Sequence, residues 1–219
     1  VHTDLPDQYY LYFETLPDFR KRGIGSAYFD RIETDLIENK KAQSLVTSTR
    51  DTETQAVSFL EKRGYEVIER MTMSAIDLTG IDLDQFTPLR QKIAAEGIQI
   101  RPLTELMDPE ETYLSQLEEL FWVLVNDAPH SQPPKRLTIE EFKKFFIETP
   151  HFYPEGWFIA TEGDKFVGWS AVLIHQGNKE MMETGITVID RDYRRRGLAK
   201  AMKVVAFEHA LAVGRPRLE

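Results

Sequence analysis

Residues that could hold an anion occur in two short basic stretches of this sequence, and the more distinctive is DYRRRGLA at residues 192–199. It follows a β-branched segment that ends at Ile189 and precedes apolar residues at helical spacing, among them Leu198 and Met202. Arginines are unexpected at the N-terminus of a helix, because that end already carries a partial positive charge. A bound anion would resolve this conflict, since backbone N–H groups, the helix dipole and guanidinium groups would all converge on it. The stretch therefore predicts a phosphate-binding turn between a strand and a helix.

The same order of strand, loop and helix occurs near the start of the sequence. PDFRKRGIGS at residues 17–26 follows a strand-like segment, residues 9–15, and opens a helix with Ile24 and Tyr28 on one face. Arg194 follows Arg20 by 174 positions (194 minus 20), roughly one domain length. A single basic loop could be a solvated surface turn, but two loops with matching flanks indicate an internal duplication.

The two loops resemble the acetyl-CoA pyrophosphate loop of the GNAT superfamily of N-acetyltransferases. The matching residues are R-x-x-G-x-G from Arg20 and R-x-x-G-x-A from Arg194. Their duplication resembles the tandem arrangement of mycothiol-synthase-like acetyltransferases. The resemblance implies an α/β fold with a mixed sheet, the GNAT acyl-CoA N-acyltransferase fold, in two incomplete modules. Residues 1–80 are expected to form the C-terminal half of the first module, 81–97 a linker, and 98–219 the N-terminal two-thirds of the second.

The resemblance also implies a cofactor and the residues that hold it. Acetyl-CoA would serve as co-substrate without a metal, and the backbone N–H of Val188 or Ile189 would face its thioester oxygen. The residues expected to bind the cofactor in the second module are Thr187, Val188, Ile189, Arg194, Arg195, Arg196, Gly197, Leu198 and Ala199, and in the first module Arg20, Lys21, Arg22, Gly23, Ile24, Gly25 and Ser26.

The family places a catalytic base on the strand before the loop, and Glu183 stands in that region. It would act directly or through water, although an acidic residue at the start of a strand can also be simply solvated; Glu180 is the next candidate. In the first module, Leu60 stands where the family commonly has a tyrosine that protonates the CoA thiolate. Leucine cannot donate a proton, so transfer is expected mainly in the second module.

Composition restricts the alternatives. A net charge of −9 and a pI near 5.2 argue against a nucleic-acid surface, which needs a broad basic face. The sequence has no cysteine, no apolar run of bilayer length, no P-loop and no nucleophile elbow, and its five histidines share no metal-ligand spacing. A cytoplasmic protein without nucleic-acid or membrane partners is expected. The family resemblance implies a small-molecule or peptide amine as partner, admitted near the loop that contains His130, although a surface turn explains that loop equally well. A homodimer is a further expectation.

Two classes of function stay open at this point. The first is an N-acetyltransferase that moves an acetyl group from acetyl-CoA to a primary amine. The second is a non-catalytic CoA-binding or regulatory protein with degenerate modules. A tyrosine in the second module at the position matching Leu60 would favour catalysis.

Periodicity and turn signals place the remaining elements. If the 219 residues are the whole polypeptide, the two half-modules are expected to form one hybrid or a swapped oligomer, with the strand at residues 44–49 beside that at 184–189. The other expected elements are a helix at 23–41, a helix capped by Asp51 or Thr52, an antiparallel pair of 65–68 with 71–78, a strand from Ile98, a helix at 110–125, a capping box at Thr138–Glu141 and a hairpin spanning 157–174.

Overall fold

The computed structural model describes residues 7–128, 134–150, 152–175 and 177–219. Its contacts divide the chain into two compact units, Val1–Met71 and Thr72–Glu219, and each is described by itself below. The sequence predicts a first module that reaches residue 80 and a linker over 81–97. In the structure, that stretch carries a helix whose Ile93 is fully buried in the core of the second unit. Within the described residues, no helix combines the length and apolar character that a membrane span requires.

The first unit is small and aromatic. Strands β1 (Gln8–Tyr10) and β2 (Ser44–Val46) pair in parallel, and between them lies helix α1 (Ile24–Glu38). Helix α2 (Thr54–Glu61) follows. Phe29 of α1 is 1% exposed and contacts the rings of neighbouring aromatic residues, which are Phe13, Phe59 and Tyr65.

Two local predictions for the first unit are wrong. The N-cap of α2 is Glu53, whose side chain makes no capping hydrogen bond, so neither Asp51 nor Thr52 caps the helix. The expected antiparallel pair of 65–68 with 71–78 does not form, and only Ile76–Asp77 of that range is a strand (β3). The reason is that β3 pairs instead with Arg217–Leu218, in the sheet of the second unit.

The second unit is a mixed α/β structure, which confirms the predicted fold class. Its six-stranded sheet has the order β3-β8-β7-β6-β5-β4, with only the β7–β8 pair parallel. After β3, its elements are α3 (Thr87–Ala95), β4 (Ile98–Pro102), α4 (Thr112–Asp127), α5 (Ile139–Phe142), β5 (Trp157–Glu162), β6 (Lys165–Ile174), β7 (Met181–Ile189), α6 (Leu198–Ala212) and β8 (Arg217–Leu218). The strand from Ile98, the hairpin and the Thr138 capping box, with Glu141 bonded back to the Thr138 N–H, are confirmed.

Successive side chains of a strand point to opposite faces of the sheet, and each face has its own apolar core. One face packs against α4 and α5, where Leu117 and Phe142 cover Trp169 and Val188. The other face packs against α3 and α6, where Met202 covers Ile189. Neighbouring residues of β7 therefore anchor to opposite layers, which fixes the end of this strand between α4 and α6.

The expected pairing of residues 44–49 with residues 184–189 is wrong. Within the described residues, β2 pairs with β1, and β7 lies between β6 and β8. The strand that joins the edge of the second unit's sheet is β3, which precedes α3 in the chain, and not β2. Leu78, directly after β3, is 1% exposed and packs with Met182 and Leu218, which explains why this short strand is held at the edge.

Candidate active site

The two basic loops are structural copies as well as sequence copies. The 3₁₀ turn Pro17–Phe19 of the first unit corresponds to the 3₁₀ turn Arg191–Tyr193 of the second. Helix α1 corresponds to α6 residue for residue at the same offset of 174 (198 minus 24). Strand register follows the same offset, because Gln8 pairs with Ser44 and Met182 pairs with Leu218. The duplication therefore extends from the strand before each loop to the strand after each helix.

Each loop contains two residues in the left-handed region. These are Lys21 (φ 60°) with Gly23 (φ 79°), and Arg195 (φ 63°) with Gly197 (φ 90°). A non-glycine residue in this conformation costs roughly 1–2 kcal/mol, so its occurrence at the matching position in both loops indicates a constraint imposed by the loop geometry. Gly23 and Gly197 are the N-caps of α1 and α6, which leaves the first N–H groups of both helices without side-chain caps.

A cavity of about 480 Å³ opens at the loop of the second unit. It lies among the end of α4, the end of β7 and the first turn of α6. The structure brings around it every cofactor-binding residue predicted for this module except Arg196, but not the predicted base Glu183. The lining residues are Leu124, Asp127, Thr187, Val188, Ile189, Tyr193, Arg194, Arg195, Gly197, Leu198, Ala199 and Lys200. The side chains of Val188 and Ile189 are buried in the two cores, so the strand presents mainly backbone to this space.

The guanidinium of Arg194 has structural partners rather than an open face. Its Nε donates to the carbonyl of Ile189 at 3.0 Å, and its Nη2 donates to the carboxylate of Asp127 at the end of α4. Arg191 donates to the same carboxylate at 2.7 Å. Hydrogen bonds from Arg191 and Arg194 hold the pKa of Asp127 below its usual range. Arg194 thus ties the loop to β7 and α4.

The three arginines of the loop have different surroundings. Arg196 donates to the carbonyl of Asp192 at 3.0 Å and stacks over the Tyr193 ring, away from the cavity. Arg195 lines the cavity and makes no ion pair with any residue that the structure describes. Lys200, one turn into α6, also lines the cavity. Arg195 and Lys200 are therefore the cations that an anion in this cavity would meet.

Gly197 permits a close contact with α3. A Cβ at this position would lie 2.7 Å from Cδ1 of Leu89. This packing was not predicted, because Leu89 lies in the stretch that was expected to be a linker. Asp127, Leu124, Tyr193 and Lys200 were likewise absent from the predicted site, and only Tyr193 had a sequence signal, its position inside the DYRRR stretch.

Glu183 lies on β7, half-buried and opposite Leu173 of β6, and it does not line the cavity. One extra residue of β7 separates it from Thr187, since Val172 pairs with Thr184 whereas Ser170 pairs with Thr187. Glu180 is exposed in the turn before β7. The acceptor position predicted near His130 lies outside the described residues.

The first unit does not bring its predicted residues around a comparable space. A cavity of about 130 Å³ lies there, lined by Tyr10, Leu11, Tyr12, Phe13, Tyr28, Phe29 and Ile32, and none of residues 20–26 lines it. Arg20 donates from Nη2 to Glu14 at 3.0 Å. Glu14 corresponds to Val188 at the offset of 174, but it lies beyond the end of β1 at Tyr10. Leu60 lies on α2.

Among the described residues, no group of three or more His, Asp or Glu side chains is placed to hold a metal ion.

Comparison with known proteins identifies the family of this chain. The model of the Acetyltransferase (GNAT) family matches residues 3–65 and 112–218. The chain is 26% identical over 204 residues to a mycothiol acetyltransferase of Geodermatophilus obscurus and 24% identical over 200 residues to one of Catenulispora acidiphila. These matches cover 90% and 89% of this chain but only 60% and 57% of the relatives' own lengths.

A solved structure supports the tandem arrangement. A tandem GNAT protein from the clavulanic acid biosynthesis pathway superposes with a TM-score of 0.54 at 18% identity, covering 92% of this chain and 62% of that one. At this identity the likeness concerns the fold alone.

Proposed function

We propose that this chain, which belongs to the Acetyltransferase (GNAT) family, transfers an acetyl group from acetyl-CoA to a primary amine through its second unit. The observation that carries the proposal is the cavity that joins the end of β7, the loop and the first turn of α6. It combines a strand backbone, an uncapped helix N-terminus and two cations in one continuous surface. This combination suits a ligand with an extended polar arm and a pyrophosphate.

The cofactor would bind in a defined direction. Its pyrophosphate would sit on the N–H groups of residues 197–199, beside Arg195 and Lys200. Its pantetheine arm would follow Thr187 to Ile189 by strand-like hydrogen bonds. The thioester would then point along β7 toward Glu183, which lies six residues before Ile189, about 20 Å along a strand.

The reaction needs few groups from the protein. The amine must be neutral, positioned near the thioester carbon, and the developing oxyanion must find a donor. An N–H of Val188 or Ile189 would face the thioester oxygen. Glu183 lies about 17–20 Å from these two residues along β7, so it would accept the amine's proton only through a chain of water molecules. Attack forms the C–N bond, the C–S bond breaks, and the departing thiolate takes a proton.

A second candidate function applies to the first unit alone. Its loop repeats the backbone geometry, but Glu14 replaces Val188, Tyr9 replaces Glu183, and Leu60 replaces the tyrosine expected of the family. These replacements favour a non-catalytic role for the first unit.

The proposal is tested with the whole chain and acetyl-CoA by following thiol release over a panel of primary amines, including acceptors of the mycothiol acetyltransferases. CoA affinity is measured separately by calorimetry. Amine-dependent thiol release would support the proposal. Absence of CoA binding at millimolar concentration would overturn it, and CoA binding without turnover of any amine would favour the non-catalytic alternative.

A further inference from the structure

Asp127 is a carboxylate in the wall of the cavity that we assign to an anionic cofactor. It lines this cavity with the cations Arg195 and Lys200, and it is the last residue of α4, where the helix dipole adds partial negative charge. A negative charge at this place repels a pyrophosphate. By its charge alone, Asp127 would therefore weaken the binding that the rest of the cavity favours.

Each oxygen of the Asp127 carboxylate binds a different arginine. Oδ1 accepts from Nε and Nη2 of Arg191 at 3.2 and 2.7 Å, and Oδ2 accepts from Nη2 of Arg194. Two guanidinium groups thus surround one carboxylate, and the cluster as a whole stays positive. Because Arg194 is also bonded to the Ile189 carbonyl, the cluster connects the end of α4 to the loop and to the end of β7.

The first unit shows that the loop conformation does not need this cluster. Pro17 stands where the second unit has Arg191, and Arg20 takes its carboxylate from Glu14, in the segment that precedes its own loop. The two left-handed residues of the loop nevertheless occur at matching positions in both units. The contacts of Arg191 with Asp127 therefore do something other than shape the loop backbone.

The cluster holds two walls of the cavity together. Leu124 lies one turn before Asp127 on α4, and these two residues form the part of the wall that α4 contributes. The loop and the first turn of α6 contribute another part. A site whose walls are joined before the ligand arrives loses less conformational freedom when the ligand binds, and this raises affinity. Preorganisation of the cavity can therefore offset the repulsion by the carboxylate.

We propose that Asp127 is a positioning residue for the cofactor, one that strengthens the binding of a pyrophosphate although its own charge repels it. It does so by holding Arg191 and Arg194 together and thereby fixing the end of α4 against the loop. This inference rests on the proposed function and adds to it a residue that touches neither the thioester nor the acceptor amine. Arg195 and Lys200 remain the cations that meet the phosphates.

The sign of one substitution tests the inference. Asp127→Asn removes the negative charge, but an asparagine offers one acceptor oxygen instead of two and can serve only one of the two arginines. The positioning role predicts that the Kd for CoA rises about fivefold, which corresponds to about 1 kcal/mol, the upper end for a partly exposed ion pair. A carboxylate that acted only through its charge would instead make the Kd fall. Calorimetry on the whole chain, well below its melting temperature, measures the Kd for CoA and for inorganic pyrophosphate.

A second background shows whether the effect passes through the arginines. In a chain that carries Arg191→Gln, only Arg194 remains to be held, and an asparagine can still accept from it. Asp127→Asn should then change the Kd less than about twofold, because two residues of one hydrogen-bonded cluster do not act additively. An effect of Asp127→Asn on folding alone would lower the melting temperature and leave the Kd of the folded chain unchanged, which would overturn the inference.

Asp192→Asn is the matched control. It removes the same charge from the loop itself, at an exposed side chain that makes no hydrogen bond or ion pair with any residue that the structure describes. It should leave the Kd unchanged or lower it slightly. An equal rise of the Kd in this control, or the same rise for Asp127→Asn in both backgrounds, would overturn the inference.

Inorganic pyrophosphate separates this inference from the proposed function. If CoA does not bind the wild-type chain but pyrophosphate binds with a dependence on Asp127, the proposed function fails alone. If CoA binds the wild-type chain and Asp127→Asn binds it equally or more tightly, the inference fails alone. If neither probe binds the wild-type chain, both fail.

Discussion

Arg20 and Arg194 make the same hydrogen bond in the two units. The Nε of Arg20 donates to the Thr15 carbonyl at 2.9 Å, and the Nε of Arg194 donates to the Ile189 carbonyl at 3.0 Å, in each case five residues earlier. Each guanidinium also binds a carboxylate through Nη2, that of Glu14 in the segment between β1 and the loop or that of Asp127 on α4. Each arginine therefore connects its loop to the segment that precedes the loop. The carboxylate partner comes from that same segment in the first unit and from α4 in the second.

This arrangement predicts that geometry, rather than charge, matters at position 194. Arg194→Lys keeps the charge but cannot donate from both Nε and Nη2, so it should weaken CoA binding nearly as much as Arg194→Gln. Calorimetric titration of both variants with CoA measures this. Full affinity in Arg194→Lys together with a loss in Arg194→Gln would show that Arg194 acts on the phosphates as a charge.

The cations of the loop should contribute unequally. Arg195→Gln should raise the Kd for CoA about tenfold or more, because a charge-assisted hydrogen bond contributes about 1.5–3 kcal/mol. Arg196→Gln removes the same charge from a side chain that stacks on Tyr193 outside the cavity, and it should change the Kd less than threefold. Equal losses in the two variants would mean that the loop acts only through its net charge.

Gly197 should prove important for folding as well as for binding. In Gly197→Ala the new Cβ sits on a residue with a left-handed φ and also meets Leu89. In Gly23→Ala the φ is left-handed too, but the new Cβ has no heavy atom within 4 Å. The conformational cost is about 1–2 kcal/mol in both variants. Gly197→Ala should lower the free energy of unfolding by more than Gly23→Ala, because Leu89 must shift. Chemical denaturation measures the two free energies of unfolding. Equal losses of unfolding free energy would show that the Leu89 side chain moves aside at no cost. Gly197 would then matter only because it lets a ligand approach the backbone.

His209 should make the stability of the second unit depend on pH. Its Nε2 lies 2.8 Å from the Tyr153 hydroxyl, and burial lowers its pKa, with Glu155 opposing the shift. The unfolded chain then binds more protons than the folded one below the ordinary histidine pKa near 6.5, so this contribution to stability falls as pH falls from 7 to 5. His209→Gln should reduce that fall in urea denaturation. A variant with an unchanged pH profile would assign the loss of stability to other groups.

Sequence reasoning found the loops and the strands and helices beside them, because local period and the duplication both mark these elements. It did not foresee the ion pair of Arg194 with Asp127, because that contact joins residues far apart in the chain and depends on where α4 ends. It also placed Leu89 in a linker, because a single short helix carries no sign of the unit it packs against. Contacts within one element were predictable, whereas contacts that depend on tertiary packing were not.

The central claim, that the second unit is the CoA-binding one, is tested most directly by the stoichiometry of CoA binding in a matched pair of variants. Ala199 is exposed, lines the cavity and lies in the first turn of α6, where an aspartate favours the helix but repels phosphate. Its counterpart Gly25 lies in the first turn of α1, where a Cβ would be 3.1 Å from the Thr15 hydroxyl. Calorimetry should find one CoA per wild-type chain, one for Gly25→Asp and none for Ala199→Asp, with melting temperatures confirming that both fold. Loss of binding in Gly25→Asp with binding retained in Ala199→Asp would contradict the account.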